Sequence, residues 1–91
     1  MTMKLLIDVQ QNRFLWAIVD GSWVRLESGS RVDVEALRGI QLDRKIEVVW
    51  IDAGYRRSEV LAACAEYGWT PMQGRACAAE LVVIEEATKG L

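Results

Sequence analysis

Two aspartates in apolar surroundings are the residues of this chain most suited to chemistry. Asp8 interrupts an apolar run over residues 5–9, and Asp52 directly follows a second apolar run over residues 48–51. Aspartate is depleted in strands and is almost never fully buried unless it is paired or binds a metal. If the two runs are adjacent strands, the carboxylates form an all-oxygen site that suits Mg²⁺ or Mn²⁺ better than zinc. Such a metal activates water and stabilises the charge that develops in phosphodiester hydrolysis.

Each aspartate taken alone also has a purely structural explanation. Asp8 could lie on a solvent-exposed face of its strand, although this explanation weakens if the strand is central and covered on both faces. Asp52 could accept hydrogen bonds from the amides of the turn that follows it. Other acidic residues that the pattern places at turns, strand edges, helix caps or a solvated strand end are Asp20, Glu27, Asp33, Asp43, Glu85 and Glu86. One of Glu85 and Glu86 could instead face the sheet edge where the two aspartates lie.

The amino-acid composition excludes several other kinds of site. The chain has no histidine, so Ser-His-Asp triads, Cys-His pairs and histidine-bound zinc are excluded. Its two cysteines, Cys64 and Cys77, are too few for a four-thiolate metal site, and their alanine-rich surroundings favour small residues in or near the core. With a net charge of -2 the molecule is not basic all over, so any contact with DNA needs a local basic patch.

The length of 91 residues predicts a single domain with one hydrophobic core. The hydrophobic fraction of 52% is ordinary for a globular protein. No apolar run approaches the ~20 residues that a membrane-spanning helix requires, and the first residues lead directly into a strand-like segment. We therefore expect an intracellular protein that does not associate with a membrane.

The hydrophobic pattern predicts strands in the first part of the chain and helices alternating with strands afterwards. Three apolar segments separated by polar turns indicate an antiparallel meander, and Asp20-Gly21 is typical of a hairpin turn. We expect Ser28-Gly29-Ser30 to end the third strand, and Ser30 or Asp33 to cap the first helix. The predicted elements are strands at residues 4–10, 14–19 and 23–27, a helix at 34–42, a strand at 46–52, a second helix that Gly68 ends, and strands at 69–74 and 81–84.

The order of these elements, βββαβαβ followed by one more strand, predicts an α/β fold with a mixed sheet. A strand-helix-strand connection makes a right-handed crossover, which places the fourth strand parallel to the first and beside it. The predicted strand order is 3-2-1-4-5 with a helix on each flank of the fourth strand, the topology found in the ribonuclease H-like fold. This order brings Asp8 and Asp52 together at the carboxyl ends of neighbouring strands, where open α/β sheets bind ligands.

Two segments of the chain resemble the nuclease domain of the large subunit of lambda-type phage terminases. Residues 6–13, LIDVQQNR, resemble the opening strand of that domain, where IDVQ is followed by one or two polar residues and an arginine. Residues 49–60, VWIDAGYRRSEV, resemble its second signature, DSGYRTxEV. Gly74-Arg75 resembles the KGR step that follows the next strand of the family. Together the resemblance covers roughly residues 4–75, with the segments in the order of the family.

The resemblance implies a function and a set of site residues. Terminase nuclease domains have a ribonuclease H-like fold and cut concatemeric DNA with a divalent metal during genome packaging. By resemblance, Asp8 is the catalytic, metal-bridging carboxylate, Asp52 is the second metal ligand, and Tyr55 and Arg56 lie beside the site with Arg56 near a phosphate. The implied cofactor is Mg²⁺ or Mn²⁺. The implied partners are double-stranded DNA and the terminase ATPase or other packaging proteins, in the cytoplasm of a bacterial host.

The sequence also departs from the terminase pattern. The family domain is considerably longer and carries a third acidic ligand on a later helix, and Gln73 stands where the family has the lysine of KGR. The GxxxxGKS/T loop of the packaging ATPase is absent. We therefore interpret residues 1–91 as a single domain that is a fragment or a shortened remnant of the family domain. Its sheet would be truncated after the fifth or sixth strand, and its metal site would lack one ligand.

Two other functions remain open. The first is a noncatalytic ribonuclease H-like module for interaction or oligomerisation, since a truncated sheet leaves unpaired edges that favour a homodimer. Tryptophan is enriched at interfaces, and Trp16, Trp23 and Trp69 are candidates for one if the core does not need them. The second is a nucleotidyl- or phosphate-handling enzyme that uses the same carboxylates. The lack of a glycine-rich phosphate loop counts against it.

Overall fold

The computed structural model of the chain describes residues 2–72 together with Ile84, Glu86 and Lys89. In this part of the chain the elements follow one another in the predicted order βββαβαβ. They are β1 (Lys4–Val9), β2 (Phe14–Val19), β3 (Arg25–Arg31), α1 (Val34–Asp43), β4 (Val48–Asp52), α2 (Arg57–Tyr67) and β5 (Thr70–Met72). Neither of these two helices is long and apolar enough to cross a membrane.

The five strands form one open mixed sheet in the order β3-β2-β1-β4-β5, which confirms the predicted strand order. β1 pairs antiparallel with β2, and β2 pairs antiparallel with β3. β4 lies parallel to β1, and β5 lies parallel to β4. A helix precedes each of the later strands, α1 before β4 and α2 before β5. Each helix returns the chain across the sheet, so the strand that follows it can run parallel to its neighbour.

The sheet has two faces with different cover, because side chains alternate along each strand. One face, here called the helix face, carries Leu5, Ile7 and Val9 of β1, and both helices pack on it. The helix residues in this cluster are Val34, Leu37, Ile40, Val60 and Ala63. The opposite face, here called the aspartate face, carries Leu6 and Asp8 of β1 and packs Leu15, Ala17, Val19, Trp50 and Ile84 together. In the chain one helix precedes β4 and the other follows it, as predicted, but both pack on the helix face of the sheet.

The ends of both helices follow local sequence signals. Asp33 caps α1, and its Oδ1 accepts a hydrogen bond of 2.8 Å from the backbone N–H of Ala36, so Ser30 is not needed for this purpose. Gly68 ends α2 in the left-handed conformation, with a φ of 74°, and its N–H donates to the carbonyl of Cys64. Cys64 is half-buried, as predicted, and burial raises the pKa of its thiol. Cys77 lies outside the described residues.

The third strand is longer than predicted and continues through Gly29. The indole of Trp16 on β2 packs across this position, and a Cβ on Gly29 would lie only 2.8 Å from its Cζ2 atom. The glycine therefore makes room for a core tryptophan and does not end the strand. The strand begins later than predicted because Trp23, with a φ of 62°, still belongs to the turn that Asp20 organises. The buried Nε1 of Trp16 has no hydrogen-bond partner in the described part of the chain.

The fourth strand begins two residues later than predicted. The backbone N–H of Ile46 donates to the carbonyl of Gln41, and the side chain of Gln41 donates to the carbonyl of Ile46 at 3.0 Å. These bonds tie Ile46 to the end of α1 instead of to the sheet. The Oε1 atom of the buried Gln41 also accepts a bond of 2.7 Å from the indole of Trp69, so one polar side chain joins three segments.

The predicted last strand over residues 81–84 is wrong at Ile84, which is helical and fully buried on the aspartate face. Residues 81–83 of that prediction, Glu85 and the Gln73-Gly74-Arg75 step lie outside the described residues. Of the three tryptophans considered for an interface, Trp16 and Trp69 are buried in the helix-face core. Only Trp23 is substantially exposed.

Candidate functional site

Asp8 lies on the central strand of the sheet. β1 has β2 on one side and β4 on the other, and apolar side chains cover both of its faces, which leaves the aspartate half-buried. A fully solvent-exposed face of the strand therefore does not explain this residue. In the sheet, Asp8 lies opposite Leu15 of β2, and its side chain is on the aspartate face, as is that of Leu6.

Asp52 ends β4 beside Asp8. The parallel register pairs Leu6 with Trp50 and Ile7 with Ile51, so the next step along both strands brings Asp8 level with Asp52. Neighbouring strands lie about 4.8 Å apart. Because side chains alternate along a strand, Asp8 lies on the same face as Leu6, and Asp52 lies on the same face as Trp50. The two carboxylates therefore occupy one face at the carboxyl ends of adjacent parallel strands, the arrangement that the crossover rule predicted.

Local polar groups position each carboxylate. The side-chain amide of Gln10 contacts Oδ2 of Asp8 at a long 3.5 Å, and the guanidinium of Arg13 donates to Oε1 of Gln10 at 3.3 Å. Oδ1 of Asp52 accepts a bond of 2.9 Å from the N–H of Gly54, as expected for a residue at a turn. A Cβ at Gly54 would lie 3.2 Å from that same oxygen, so a small residue suits the turn.

Gln10 and Arg13 are site residues to which the sequence analysis assigned no role. They connect the side of Asp8 to the turn after β1, where the backbone N–H of Gln10 also donates to the carbonyl of Arg13 at 2.9 Å. Their signal in the sequence was a polar run immediately after the strand that holds Asp8. That run predicts a turn, but it does not predict that the turn folds back toward the carboxylate.

Tyr55 and Arg56 lie at the same end of the sheet, just after Asp52. Tyr55 is 53% exposed. The guanidinium of Arg56 lies 4.5 Å from the ring centre of Phe14 and forms an ion pair of 2.6 Å with Glu59. Because Phe14 belongs to the helix-face core, Arg56 packs on the opposite side of the sheet from the two carboxylates. Its positive charge is already paired with one carboxylate of its own helix.

A cluster of aromatic and basic groups extends along the aspartate face from Asp52. Trp50 stands two positions before Asp52 on the same face, and the Nζ atom of Lys4 lies 4.4 Å from its ring centre. The same Nζ atom lies 5.1 Å from the ring centre of Trp23. The two rings are 6.3 Å apart at an angle of 56°. Lys4 is therefore held by cation–π contacts between two tryptophans.

The metal-binding capacity of the site rests on its two aspartates. Both offer carboxylate oxygens, the donors that Mg²⁺ and Mn²⁺ prefer. Within residues 2–72, Ile84, Glu86 and Lys89, no group of three or more histidine, cysteine, aspartate or glutamate side chains is placed to hold a metal. The pair thus offers oxygen donors of the type that a divalent cation prefers.

Comparison with known proteins leaves these geometric observations as the basis for any functional conclusion. No protein-family model matches the chain, and no curated protein matches its sequence.

Proposed function

We propose that this chain is a metal-dependent DNA endonuclease domain with a ribonuclease H-like fold, similar to the nuclease of phage terminase large subunits, or a shortened remnant of one. The observation that carries the proposal is the placement of Asp8 and Asp52 side by side on one face of the sheet. The strand order 3-2-1-4-5 with two crossover helices is consistent with such a fold. Neighbouring carboxylates supply oxygen ligands of the kind that hold a divalent cation for phosphodiester hydrolysis.

The residues of the chain would have distinct tasks in this proposal. A bound divalent cation would supply Lewis acidity and an activated water. Asp8 and Asp52 would hold the cation, since two neighbouring carboxylates repel each other and a cation relieves that repulsion. Gln10 would orient Asp8 through its amide, with Arg13 fixing Gln10 in turn. The amide of Gly54 would keep one oxygen of Asp52 in place.

The proposed DNA contacts are Tyr55 and Arg56. Tyr55 is exposed at the edge of the sheet where the carboxylates lie, so its ring and hydroxyl are accessible to a nucleic acid. Arg56 would bind a phosphate beside the carboxylates only after leaving both Phe14 and Glu59, because its guanidinium packs on the helix face and the ion pair neutralises its charge. The backbone of Arg56 is left-handed, with a φ of 49°, which is a strained conformation for arginine. This conformation sets the direction in which the side chain leaves the backbone.

A noncatalytic interaction module is the second candidate function. It is favoured by the local bonds of the same residues, because Asp52 behaves as a turn residue toward Gly54 and Arg56 is paired with Glu59. In this alternative the two aspartates only shape the end of the sheet. The two functions differ in one measurable property, which is the response of the folded chain to divalent metal.

Metal-dependent melting together with a nicking assay tests the proposal. We expect millimolar Mn²⁺ to raise the melting temperature of the chain and to support weak nicking of supercoiled plasmid DNA. Asp8→Asn should lose both effects, because it removes one of two ligands. Glu66→Gln is the matched control: it makes the same charge change on an exposed helical residue and should keep the response of the unmodified chain.

Two results would contradict the endonuclease proposal. Plasmid nicking by Asp8→Asn at the rate of the unmodified chain would remove Asp8 from the mechanism. A melting curve that does not change in millimolar Mn²⁺, together with no nicking, would favour the noncatalytic module.

A further inference from the structure

Trp23 presents part of its indole to solvent at the end of the sheet away from the two carboxylates. Its side chain is 40% exposed, whereas Trp16 and Trp69 are almost completely buried. Trp23 belongs to the turn after β2, and Val19, the last residue of β2, pairs with Lys4 at the start of β1. The packing of the chain therefore leaves part of this ring accessible to a ligand.

The turn that carries Trp23 holds it in an unfavourable backbone conformation. Its φ is 62°, in the left-handed region that a bulky residue rarely adopts. Asp20 imposes this conformation, because its carbonyl accepts from the N–H of Trp23 at 3.0 Å and its Oδ1 accepts from the N–H groups of Ser22 and Val24. Glycine would fit this position without strain, so a tryptophan there favours a function for the ring.

Lys4 lies between the rings of Trp23 and Trp50. Its Nζ atom is 5.1 Å from the ring centre of Trp23 and 4.4 Å from that of Trp50. In the described part of the chain no carboxylate forms an ion pair with this ammonium. The cation–π contacts orient the ammonium group and leave it N–H donors with which to bind an anion. An accessible aromatic ring and a cation are thus held next to each other.

Lys4 and the two tryptophans lie on the same face of the sheet as the carboxylates. Lys4 and Asp8 are the first and fifth residues of β1, which places them about 13 Å apart along the strand. Trp50 lies between these two levels, because it pairs with Leu6. Roughly four stacked nucleotides, at 3.4 Å each, cover the same distance. A nucleic-acid strand with one phosphate at the carboxylates can therefore reach Trp23 within a few nucleotides.

We propose that Trp23 and Lys4 form a binding site for unpaired nucleotides of DNA, in which a base stacks on the indole of Trp23 and Lys4 binds a neighbouring phosphate. Aromatic rings next to cations suit single-stranded nucleic acid, because every base has a π face and every linkage carries a negative charge. The bases of a duplex are already stacked on one another. A single strand should therefore bind this site more tightly than a duplex.

This inference rests on the proposed function for the choice of DNA as the ligand, and it specifies the form of DNA that the aspartate face binds. The binding itself does not require a metal, so it is measured in EDTA. Oligonucleotide binding through Trp23 without any response to Mn²⁺ would support the binding site and contradict the endonuclease. Nicking that depends on Asp8, together with an unchanged oligonucleotide Kd in Trp23→Ala, would do the reverse.

Fluorescence anisotropy of a labelled oligothymidylate about twelve nucleotides long tests the site on the 91-residue chain. We expect Trp23→Ala to raise the Kd at least about fivefold, because it removes the stacking surface, and Trp23→Phe to have an intermediate Kd. Val24→Ala is the matched control: Val24 is the next residue and is 56% exposed, and its truncation should leave the Kd unchanged.

The salt dependence of the same binding tests the role of Lys4. A phosphate contact contributes about 0.7 to the slope of log Kd against log salt concentration for a single strand, so Lys4→Gln should lower the slope by about that amount. Lys4→Arg keeps the charge and should keep the slope. Lys45→Gln is the matched control, because Lys45 is exposed beyond the end of α1, a helix that packs on the opposite face.

A second measurement separates stacking from loss of folding. The oligonucleotide should quench the tryptophan fluorescence of the unmodified chain, and Trp23→Phe, which keeps an aromatic ring in the turn, should lose most of this quenching. Circular dichroism of each variant checks that it is folded.

Four outcomes would overturn the proposal. The first is an unmodified chain that does not bind the oligonucleotide at about 100 µM. The second is a folded Trp23→Ala chain with the Kd of the unmodified chain. The third is a duplex of the same length that binds as tightly as the single strand. The fourth is self-association that Trp23→Ala abolishes while oligonucleotide binding persists, which would assign the ring to an interface between two copies of the chain.

Discussion

The two faces of the sheet use the same strands for different purposes. On the helix face, sixteen of the described residues form one buried apolar cluster that includes both helices. On the aspartate face the corresponding cluster contains five buried residues, and the strands also place Lys4, Asp8 and Asp52 there. Among the described residues, the helix face therefore holds the larger apolar cluster, whereas the aspartate face combines a smaller apolar cluster with charged side chains.

The physical basis of this difference lies in burial. A fully buried leucine or isoleucine contributes roughly 1.5–3 kcal/mol relative to an exposed one. A half-buried carboxylate contributes nothing comparable, because part of its hydration is lost. The two aspartates therefore add less to stability than the buried apolar residues around them. Mutations on the two faces should separate stability from metal response.

The largest effect is expected from Leu37→Ala on the helix face. Leu37 is completely buried between α1 and the sheet, and its truncation should lower the free energy of unfolding by about 2–5 kcal/mol. Leu42→Ala on the same helix is the matched control: Leu42 is exposed, so the change should stay within about 0.5 kcal/mol. Urea denaturation followed by tryptophan fluorescence measures both. Equal losses in the two variants would contradict the assignment of the core to this face.

A smaller loss is expected where β3 passes under Trp16. Gly29→Ala places a methyl group within 2.8 Å of the indole, and the ring must shift. We expect a loss of about 1–3 kcal/mol in the free energy of unfolding. Gly39→Ala in α1 is the control, because among the described residues no atom beyond its chain neighbours and its own helix backbone lies within 4 Å of the new methyl group. That change should stabilise the chain by about 0.5–1 kcal/mol. Opposite signs for the two variants in thermal or urea denaturation would confirm the packing, and a neutral Gly29→Ala would refute it.

The smallest effect is the pH dependence of the ion pair at the β3 edge. The hydrogen bond from Arg44 lowers the pKa of Glu27 below its ordinary value of 4.5. A lowered pKa in the folded state contributes stability above the unfolded pKa and loses it as the pH falls through the folded pKa. The unmodified chain should therefore exceed Glu27→Gln in stability at neutral pH, and the difference should vanish in acid. Urea denaturation at several pH values measures this, and a gap that grows as the pH falls would contradict it.

Repeating the measurement at high salt gives a second test of the same ion pair. The pair is exposed, so its contribution should shrink further when salt screens the two charges.

Much of the fold and one essential relation of the candidate site could be predicted from local patterns. Alternating and continuous apolar runs identified the strands, Asp33 and Gly68 marked helix ends, and the βαβ crossover rule placed β4 beside β1. The neighbouring positions of Asp8 and Asp52 followed from that order alone. These features depend on residues a few positions apart or on the handedness of the chain, which a sequence states directly.

Only the tertiary structure decided how distant residues meet. Gly29 lies within β3 because Trp16 packs across it, and Ile46 leaves β4 because Gln41 binds it from the end of α1. Arg56 turns away from the carboxylates because Phe14 and Glu59 offer its guanidinium a ring and an opposite charge. Such contacts join residues that are far apart in sequence or select one rotamer among several. The hydrophobic period and the caps carry no information about them, because the choice depends on the shape of the assembled core.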